Sequence, residues 1–289
     1  MIVTNKNNLP EPLVRAFKVL NSKYVGGGNV SVTTLKDSPQ IHKLRTIFKD
    51  YVTVDAESML YSVLGQAMHQ VLESANERVN EDKDVPDVIE KRFYKKFLGW
   101  ELSGQVDRLI PQEEKISDWK MTSTWKVMNK KFDDWEKQLN CYAHLARSNG
   151  YKVSNLEIVA VLRDYKKNSQ SVNYPESPIQ VIDIPVWEDK KVEEYITERI
   201  KLHKSVITEK KEYVCTNEDR WYTGDKWALI KKGNKKATKI FRTKEEAGEI
   251  GKEYKLEFRK GTSLRCENYC EVSNFCKQYK EEKEKDERG

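Results

Sequence analysis

Asp107, Asp118 and Lys120 form the pattern with the most chemical content in this chain. In GQVDRLIPQEEKISDWK, residues 104–120, a lone aspartate is followed eleven residues later by an Asp-x-Lys triplet. Apolar residues at Val106, Leu109, Ile110 and Ile116 predict two short antiparallel strands that turn at Pro111-Gln112-Glu113. Side chains two apart on a strand share a face, so Asp118 and Lys120 point the same way, and the hairpin brings Asp107 beside them. Two carboxylates and an ammonium on one patch make a site for a hard divalent cation with a basic group next to it. In a chain with 34% charged residues, the triplet alone reads far more readily as a solvated hairpin face. What surrounds it decides between the two.

Upstream, residues 55–79 carry apolar positions at 60, 64, 67, 68, 71 and 75, an amphipathic helix with Asp55 as N-cap. Gly65, His69 and Glu73 are four apart on one face of it. His69 is one of only four histidines, and a neutral imidazole suits Mn²⁺ or a similar ion. Downstream, residues 132–148 form a second helix, stopped at Asn149-Gly150. Gln138 and Tyr142 lie one turn apart on it, in a stripe with Trp135, Leu139 and Leu145. Tyr142 alone would be core, but a buried Gln138 needs partners. The functional reading turns both polar tips toward a phosphate or a flipped strand. Glu90, opening a candidate strand Glu90–Tyr94, reads as a solvated residue first and as an accessory acid second.

The order Gly-x3-His, G-x-x-D, D-x-K, Q-x3-Y resembles the RecB-like branch of the PD-(D/E)XK nuclease superfamily. Gly65 and His69, Gly104 and Asp107, Asp118 to Lys120, and Gln138 and Tyr142 carry the resemblance, which spans about residues 30–165. Aspartate at the second acid position, Asp118, also occurs in this branch. The resemblance implies an α/β fold: a restriction-endonuclease-like core with a mixed central sheet flanked by helices. It implies that His69, Asp107, Asp118 and the main-chain carbonyl of Trp119 hold Mg²⁺ or Mn²⁺, which polarises the scissile phosphate and activates a water. Lys120 would orient or deprotonate that water, and Gln138 and Tyr142 would position the DNA strand or Lys120.

Five cysteines stand at 141, 215, 266, 270 and 276, the last three as C-x3-C-x5-C. The N-terminus lacks a basic region followed by an apolar run, so no secretory signal is expected. In a reducing cytosol, clustered cysteines suggest metal rather than disulfides. Cys141 lies inside the second helix and reads as packing, which leaves Cys215, Cys266, Cys270 and Cys276 for a Cys₄ site. By resemblance the occupant is a [4Fe–4S] cluster, usually held by one cysteine before the nuclease core and three after. Here all four follow it. Zn²⁺ is the rival, and four unrelated buried thiols are the third reading. Between Cys215 and Cys266, residues 226–241 predict a hairpin around Lys232-Gly233-Asn234-Lys235, Thr243–Glu246 a capping box opening a helix to about Tyr254, and 256–259 a strand. Such a ββαβ-like insert is too small to bury much core and would gain from a staple. Lys231, Lys232, Lys235 and Lys236 at its tip read equally as solvated residues and as DNA-phosphate contacts.

The expected organisation is a leading helical segment, 1–54, flexible at first, with a turn at Gly26-Gly27-Gly28 and one short helix in 31–45. A nuclease core, 55–208, continues through strands Leu156–Arg163 and Ile179–Ile184 and a helix over Glu188–Lys204. A cysteine-tethered α+β module, 209–279, precedes a charged tail, 280–289. Arg163, at a strand end, is a surface residue or a phosphate contact. Net charge is +6 and pI near 8.8, which suits a polyanionic partner. Seven Trp and fourteen Tyr offer stacking surfaces beyond the core. No stretch approaches the roughly 20 apolar residues of a membrane span, and no nucleotide-binding G-x-x-x-x-G-K loop is present.

The resemblance therefore implies a cytoplasmic, metal-dependent DNA exonuclease of a bacterium or a phage-infected host. It would act from DNA ends in recombination, repair or end processing, with a single-strand annealing recombinase as possible partner and no membrane association. The alternatives are a structure-specific endonuclease and a non-catalytic DNA-binding protein that keeps the fold. The intact motif set speaks against the last.

Overall fold

The computed structural model describes residues 2–22 and 27–288. The chain divides into two compact units, Met1–His42 with Thr53–Lys211, and Lys43–Val52 with Glu212–Gly289. In chain order the first contains β1 (Ile2–Thr4), α1 (Glu11–Ser22), β2 (Val30–Ser31), α2 (Val32–Leu35), α3 (Pro39–Phe48, which from Lys43 belongs to the second unit), β3 (Thr53–Asp55), α4 (Leu60–Glu81), β4 (Val88–Phe97), β5 (Trp100–Ile110), β6 (Lys115–Thr122), α5 (Thr124–Met128), α6 (Asp133–Ser148), β7 (Asn155–Leu162), β8 (Ile179–Asp183) and α7 (Asp189–Ile207).

Its main sheet has the order β2-β5-β6-β7-β8, with β4 also paired to β5. β5 is antiparallel to β4 and β6, while β6 and β7 run parallel over Lys115↔Asn155 to Thr122↔Leu162. A parallel pair needs a crossover, and α5 and α6 supply it. The result is the mixed sheet flanked by helices that the resemblance implied. Alternation along β5 divides its work. Gly104 faces α6, where an added Cβ would lie 2.8 Å from Tyr142 and Leu145, while Asp107 faces His69 on α4. Leu102, Val106, Leu109, Ile116, Leu139 and Ile158 are fully buried in the core between strands, α6 and α7.

Four local expectations need correction. Residues 31–45 form two helices, not one. Ser31 caps α2 by accepting the Thr34 N–H at 3.1 Å; Pro39 then disfavours a helical Ser38 and opens α3. The C-terminal carbonyls of α2 are taken by Arg199 and His203 of α7. The N-terminal residues are ordered: β1 pairs in parallel with β3, and Val14 and Phe17 of α1 pack on Ala56 and Met59. Asp55 caps a 3-10 turn, Ala56–Met59, so α4 starts only at Leu60. Its apolar stripe, including Leu60, Leu64 and Val71, is exposed, because the inward face is given to His69, Glu73 and Asn76. Of the expected glycine turn, Gly26 lies outside the described residues; Gly28 has φ 73°, with the Glu101 carbonyl where a Cβ would go.

The second unit continues with α8 (Asn217–Arg220), β9 (Lys226–Lys231), β10 (Lys239–Phe241), β11 (Tyr254–Arg259), α9 (Leu264–Asn268) and α10 (Lys277–Arg288). β9 lies between β10 and β11, antiparallel to both. The helix expected from Thr243 is a 3-10 turn, Glu245–Ala247. Its capping contacts form, with Glu246 N–H on Thr243 Oγ1 at 3.4 Å and Arg242 N–H on the Glu246 carboxylate at 2.8 Å. Gly248 (φ 59°) ends it. The tail is helical and tied down: Glu282 of α10 accepts Arg220 at 2.8 Å and Ser263 at 2.9 Å. Among the described residues no helix is long and apolar enough to cross a membrane.

Candidate metal centre and cysteine cluster

The β5–β6 ladder runs through Arg108↔Ser117, Leu109↔Ile116 and Ile110↔Lys115, then stops. The next pair in that register is Asp107 with Asp118. Instead of a ladder bond, Oδ2 of Asp107 accepts the Trp119 N–H at 2.8 Å. The strands part there, and both carboxylates occupy the same face of the opening. Asp107 is 7% exposed and Asp118 1%. Asp118 forms an ion pair with Lys120; beyond it, neither Asp118 oxygen has a hydrogen-bond donor among the described residues. A buried carboxylate with one partner leaves acceptor capacity unmet, a cost on the order of 1–3 kcal/mol.

His69 reaches in from α4, with Nδ1 3.4 Å from Glu90 Oε1 and 3.6 Å from Asp107 Oδ1. Ligand atoms of His69, Glu90 and Asp107 all lie within 4.8 Å of one another. Glu90 is thus a member of the site, not a solvated strand residue. It stands opposite Asp107, between the pairs Ile89↔Arg108 and Lys91↔Val106, with φ 47°. A left-handed glutamate costs about 1–3 kcal/mol and persists only where its surroundings hold it. Here Gln105 Nε2 donates to Glu90 Oε2 at 2.8 Å, and Arg92 donates to Gln105 Oε1 at 2.6 Å. Extending the strand pairing from Asp107 across to the preceding strand is the sequence signal that finds Glu90.

Electrostatics describe a cation site. Burial, then the neighbouring charge of Asp118, push the Asp107 carboxyl up to about 7, against the pull of Lys120, His69 and the Trp119 N–H. For His69, burial favours the neutral ring, but the Glu90 hydrogen bond and the charges of Asp107 and Glu90 outweigh it and raise its pKa. Lys120 is likewise held above its ordinary value: burial opposes its charge, and Asp118 and Asp107 win. An imidazole nitrogen with several carboxylate oxygens suits Mg²⁺ or Mn²⁺, and a divalent cation would relieve the carboxylate repulsion. The residues therefore fit the ion.

Gln138, 5% exposed, has its partners. Its Oε1 accepts Lys36 Nζ at 2.7 Å, and its Nε2 donates to the Tyr142 hydroxyl at 2.8 Å. Lys36, just past α2, drew no attention in the sequence, because nothing in its spacing ties it to the later motifs. Tyr142 also covers Gly104, whose hydrogen side chain is what lets that ring lie against β5. Gly65 has nothing within 4 Å of an added Cβ, so the structure gives it no steric duty. The Arg163 guanidinium lies 4.4 Å from the centre of the Tyr61 ring. Lys231, Lys232, Lys235 and Lys236 are exposed around the β9–β10 turn of the second unit.

The second unit carries four of the five thiols. Burial pushes the Cys266 thiol up to about 12, with Cys270, Cys215 and Cys276 close enough to add to the effect. Cys215 is fixed to α10 by a two-way bond with Gln278: its N–H donates to Oε1 at 2.8 Å, and its carbonyl accepts Nε2 at 3.0 Å. Cys270 is raised by burial, moderated by a hydrogen bond from the Val272 N–H and by Arg265 and Arg45. Phe48 stacks on Phe275 at 4.3 Å beside Cys276. All five cysteines are free thiols. Thiolates suit a soft metal or an iron–sulfur cluster, but among the described residues no three of these sulfurs lie within 4.8 Å of one another. Cys141 lies in the first unit's core and takes no part.

Comparison with known proteins places this geometry. None of the curated proteins matches the chain. Among solved structures, SSO0001 is similar at 15% identity and a TM-score of 0.50, over 73% of this chain and 91% of that one. A phage related exonuclease from Haemophilus somnus 129PT is similar at 14% identity and a TM-score of 0.40, over 67% and 100%. The first likeness is one of fold. The family description that matches is the PD-(D/E)XK nuclease superfamily, over residues 81–277. That stretch contains the parted strands with Asp107, Asp118 and Lys120 as well as the second unit's four cysteines, and the chain belongs to the PD-(D/E)XK nuclease superfamily.

Proposed function

We propose that this protein is a Mg²⁺- or Mn²⁺-dependent deoxyribonuclease that hydrolyses phosphodiester bonds from DNA ends. The observation that carries the proposal is the Asp107–Asp118 pair at the parting of β5 and β6, with Lys120 ion-paired to Asp118 and His69 and Glu90 closing the group. His69, Asp107, Asp118, Glu90 and the Trp119 main-chain carbonyl would hold the ion. When bound, it polarises the scissile phosphate and lowers the pKa of an attacking water. Lys120 would orient or deprotonate that water and offset charge on the pentavalent phosphorus. The Asp107–Trp119 hydrogen bond keeps one acid at the opening, and the Arg92–Gln105–Glu90 chain keeps another. Gln138 and Tyr142 fix the wall beside them.

In the second unit, Cys215, Cys266, Cys270 and Cys276 would hold a [4Fe–4S] cluster, which the C-x3-C spacing supports over the C-x2-C knuckles common at Zn²⁺ sites. Lys231, Lys232, Lys235 and Lys236 would contact DNA phosphate. The role would be recombination, repair or end processing in a bacterial or phage-infected cytoplasm. A single-strand annealing recombinase is a partner able to receive a resected product.

A time course on end-labelled linear duplex, single strands and a covalently closed circle, with Mn²⁺ or with EDTA, tests the reading. Mononucleotides or short products from linear DNA only, in Mn²⁺ only, are expected. Cutting of the closed circle would replace end-dependence by internal cleavage. No cleavage of any substrate would leave a DNA-binding protein.

A further inference from the structure

Lys36 stands where the mechanism above has no use for it. Its Nζ lies 2.7 Å from Gln138 Oε1 and 3.4 Å from the Asp134 carbonyl, which take two of its three donors. The charges that face it come from three elements: Asp118 and Lys120 on β6, Lys126 on α5 and Asp134 on α6. Lys126 is itself ion-paired to Asp134 at 2.7 Å. Three ammonium groups thus crowd one edge of the site against two carboxylates, Asp118 on Lys120 and Asp134 on Lys126. Burial, helped by Lys120 and Lys126 against Asp134 and Asp118, lowers the Lys36 pKa to about 8. Collecting like charges in a half-buried place is expensive unless an anion completes it. The position is also built: Ser31 caps α2 on one side, and Arg199 and His203 hold the Leu35 and Asp37 carbonyls on the other.

We propose that Lys36, with Lys126, forms a phosphate-binding subsite of the nuclease centre that grips the backbone of the strand being cut. The inference rests on the nuclease reading above and adds the group that seats the substrate next to Lys120. The free donor of Lys36 meets a phosphate oxygen, while Gln138, held by Tyr142, keeps the ammonium aimed. A compact ammonium with three donors can serve both at once.

The test compares wild type, Lys36→Met and Lys36→Arg. Three quantities are read: kcat/KM on linear duplex with Mn²⁺, duplex affinity in Ca²⁺ at several salt concentrations, and Mn²⁺ affinity. The expectation for Lys36→Met is a loss of about 100-fold in kcat/KM. Its plot of log affinity against log salt should be shallower by about 0.9, one phosphate contact. Its Mn²⁺ affinity and melting temperature should be unchanged, and Lys36→Arg should recover most of the activity. Gln138→Met keeps the charge and loses the aim, so it should lower kcat/KM without changing the salt slope. An unchanged salt slope in Lys36→Met would overturn the subsite even if activity fell, since that pattern belongs to a structural prop. Wild-type cleavage matched by Lys36→Met would sink the subsite and leave the nuclease reading standing. Wild-type protein that neither binds nor cuts DNA would remove both.

Discussion

In the first unit, Leu102, Val106, Leu109, Ile116, Leu139 and Ile158 are sealed from water, in a core that spans strands and two helices. In the second, buried apolar residues include Ala228, Ile230, Phe241 and Val272, while Ile240, Phe258, Trp221 and Tyr269 are exposed. Each fully buried large side chain contributes roughly 1.5–3 kcal/mol, so the first unit can carry unfavourable groups. It does so at Asp118, buried with Lys120 as its ion-pair partner, and at the left-handed Glu90. The second unit has a smaller core, and it carries Cys215 ahead of α8 and Cys266, Cys270 and Cys276 between β11 and α10. A large core can hold chemistry that strains it. A small one needs cross-linking to hold itself.

The sharpest way to break that contrast is to remove the strained groups. Asp118→Ala and Lys120→Ala should each lower cleavage by about 1,000-fold or more. Replacing the pair as a unit, Asp118→Leu with Lys120→Met, should melt no lower than wild type in EDTA, because it discards both buried charges at once. A large fall in melting temperature would show the pair to be structural. Next in size, if the proposed cluster staples the second unit, Cys266→Ser should lower that unit's thermal transition by about 10 °C or more and abolish metal in the purified protein, with the first unit's transition unmoved. Calorimetry with metal analysis reads this, and a single unshifted transition would contradict the staple.

Glu90→Gln should weaken Mn²⁺ binding about 10- to 100-fold by titration. Equal affinity would return Glu90 to the solvated role its sequence context suggested.

The pH dependence of Asp107 sharpens the comparison further. Its folded pKa, about 7, exceeds the ordinary 3.8. The folded state therefore holds that proton more tightly, and stability is lost as pH rises from about 4 to 7. In EDTA, Asp107→Asn should melt several degrees above wild type at pH 8 and close to it at pH 4. Added Mn²⁺ should raise wild type more at pH 8 than at pH 5. The reverse trend would contradict the assignment. The smallest effect belongs to the β9–β10 turn: Lys232→Ala with Lys235→Ala should reduce the salt slope of DNA binding by about 2 and leave kcat on saturating DNA unchanged.

Much of the metal centre was legible because its residues obey local periodicity. The 107–120 hairpin is set by alternation, and His69 and Gln138 sit on helices whose spacing is visible. Lys36 escaped and Glu90 was ranked too low for one reason: each reaches the site through contacts between separate segments. The apolar stripe of α4 marks the limit of periodicity, which gives a helix two faces but not which one is buried; Leu60, Leu64 and Val71 are exposed. The expected helix after Thr243 failed because Gly248 lies five residues on, and a glycine at positive φ outweighs a good cap.

The central claim is that one divalent ion sits where β5 and β6 part. Anomalous diffraction from Mn²⁺-soaked crystals of the full chain tests it most directly. A single strong peak bonded to His69 Nδ1 and to carboxylate oxygens of Asp107, Asp118 and Glu90 is the required result. No peak among those side chains, at a Mn²⁺ concentration that supports or should support cleavage, would contradict it.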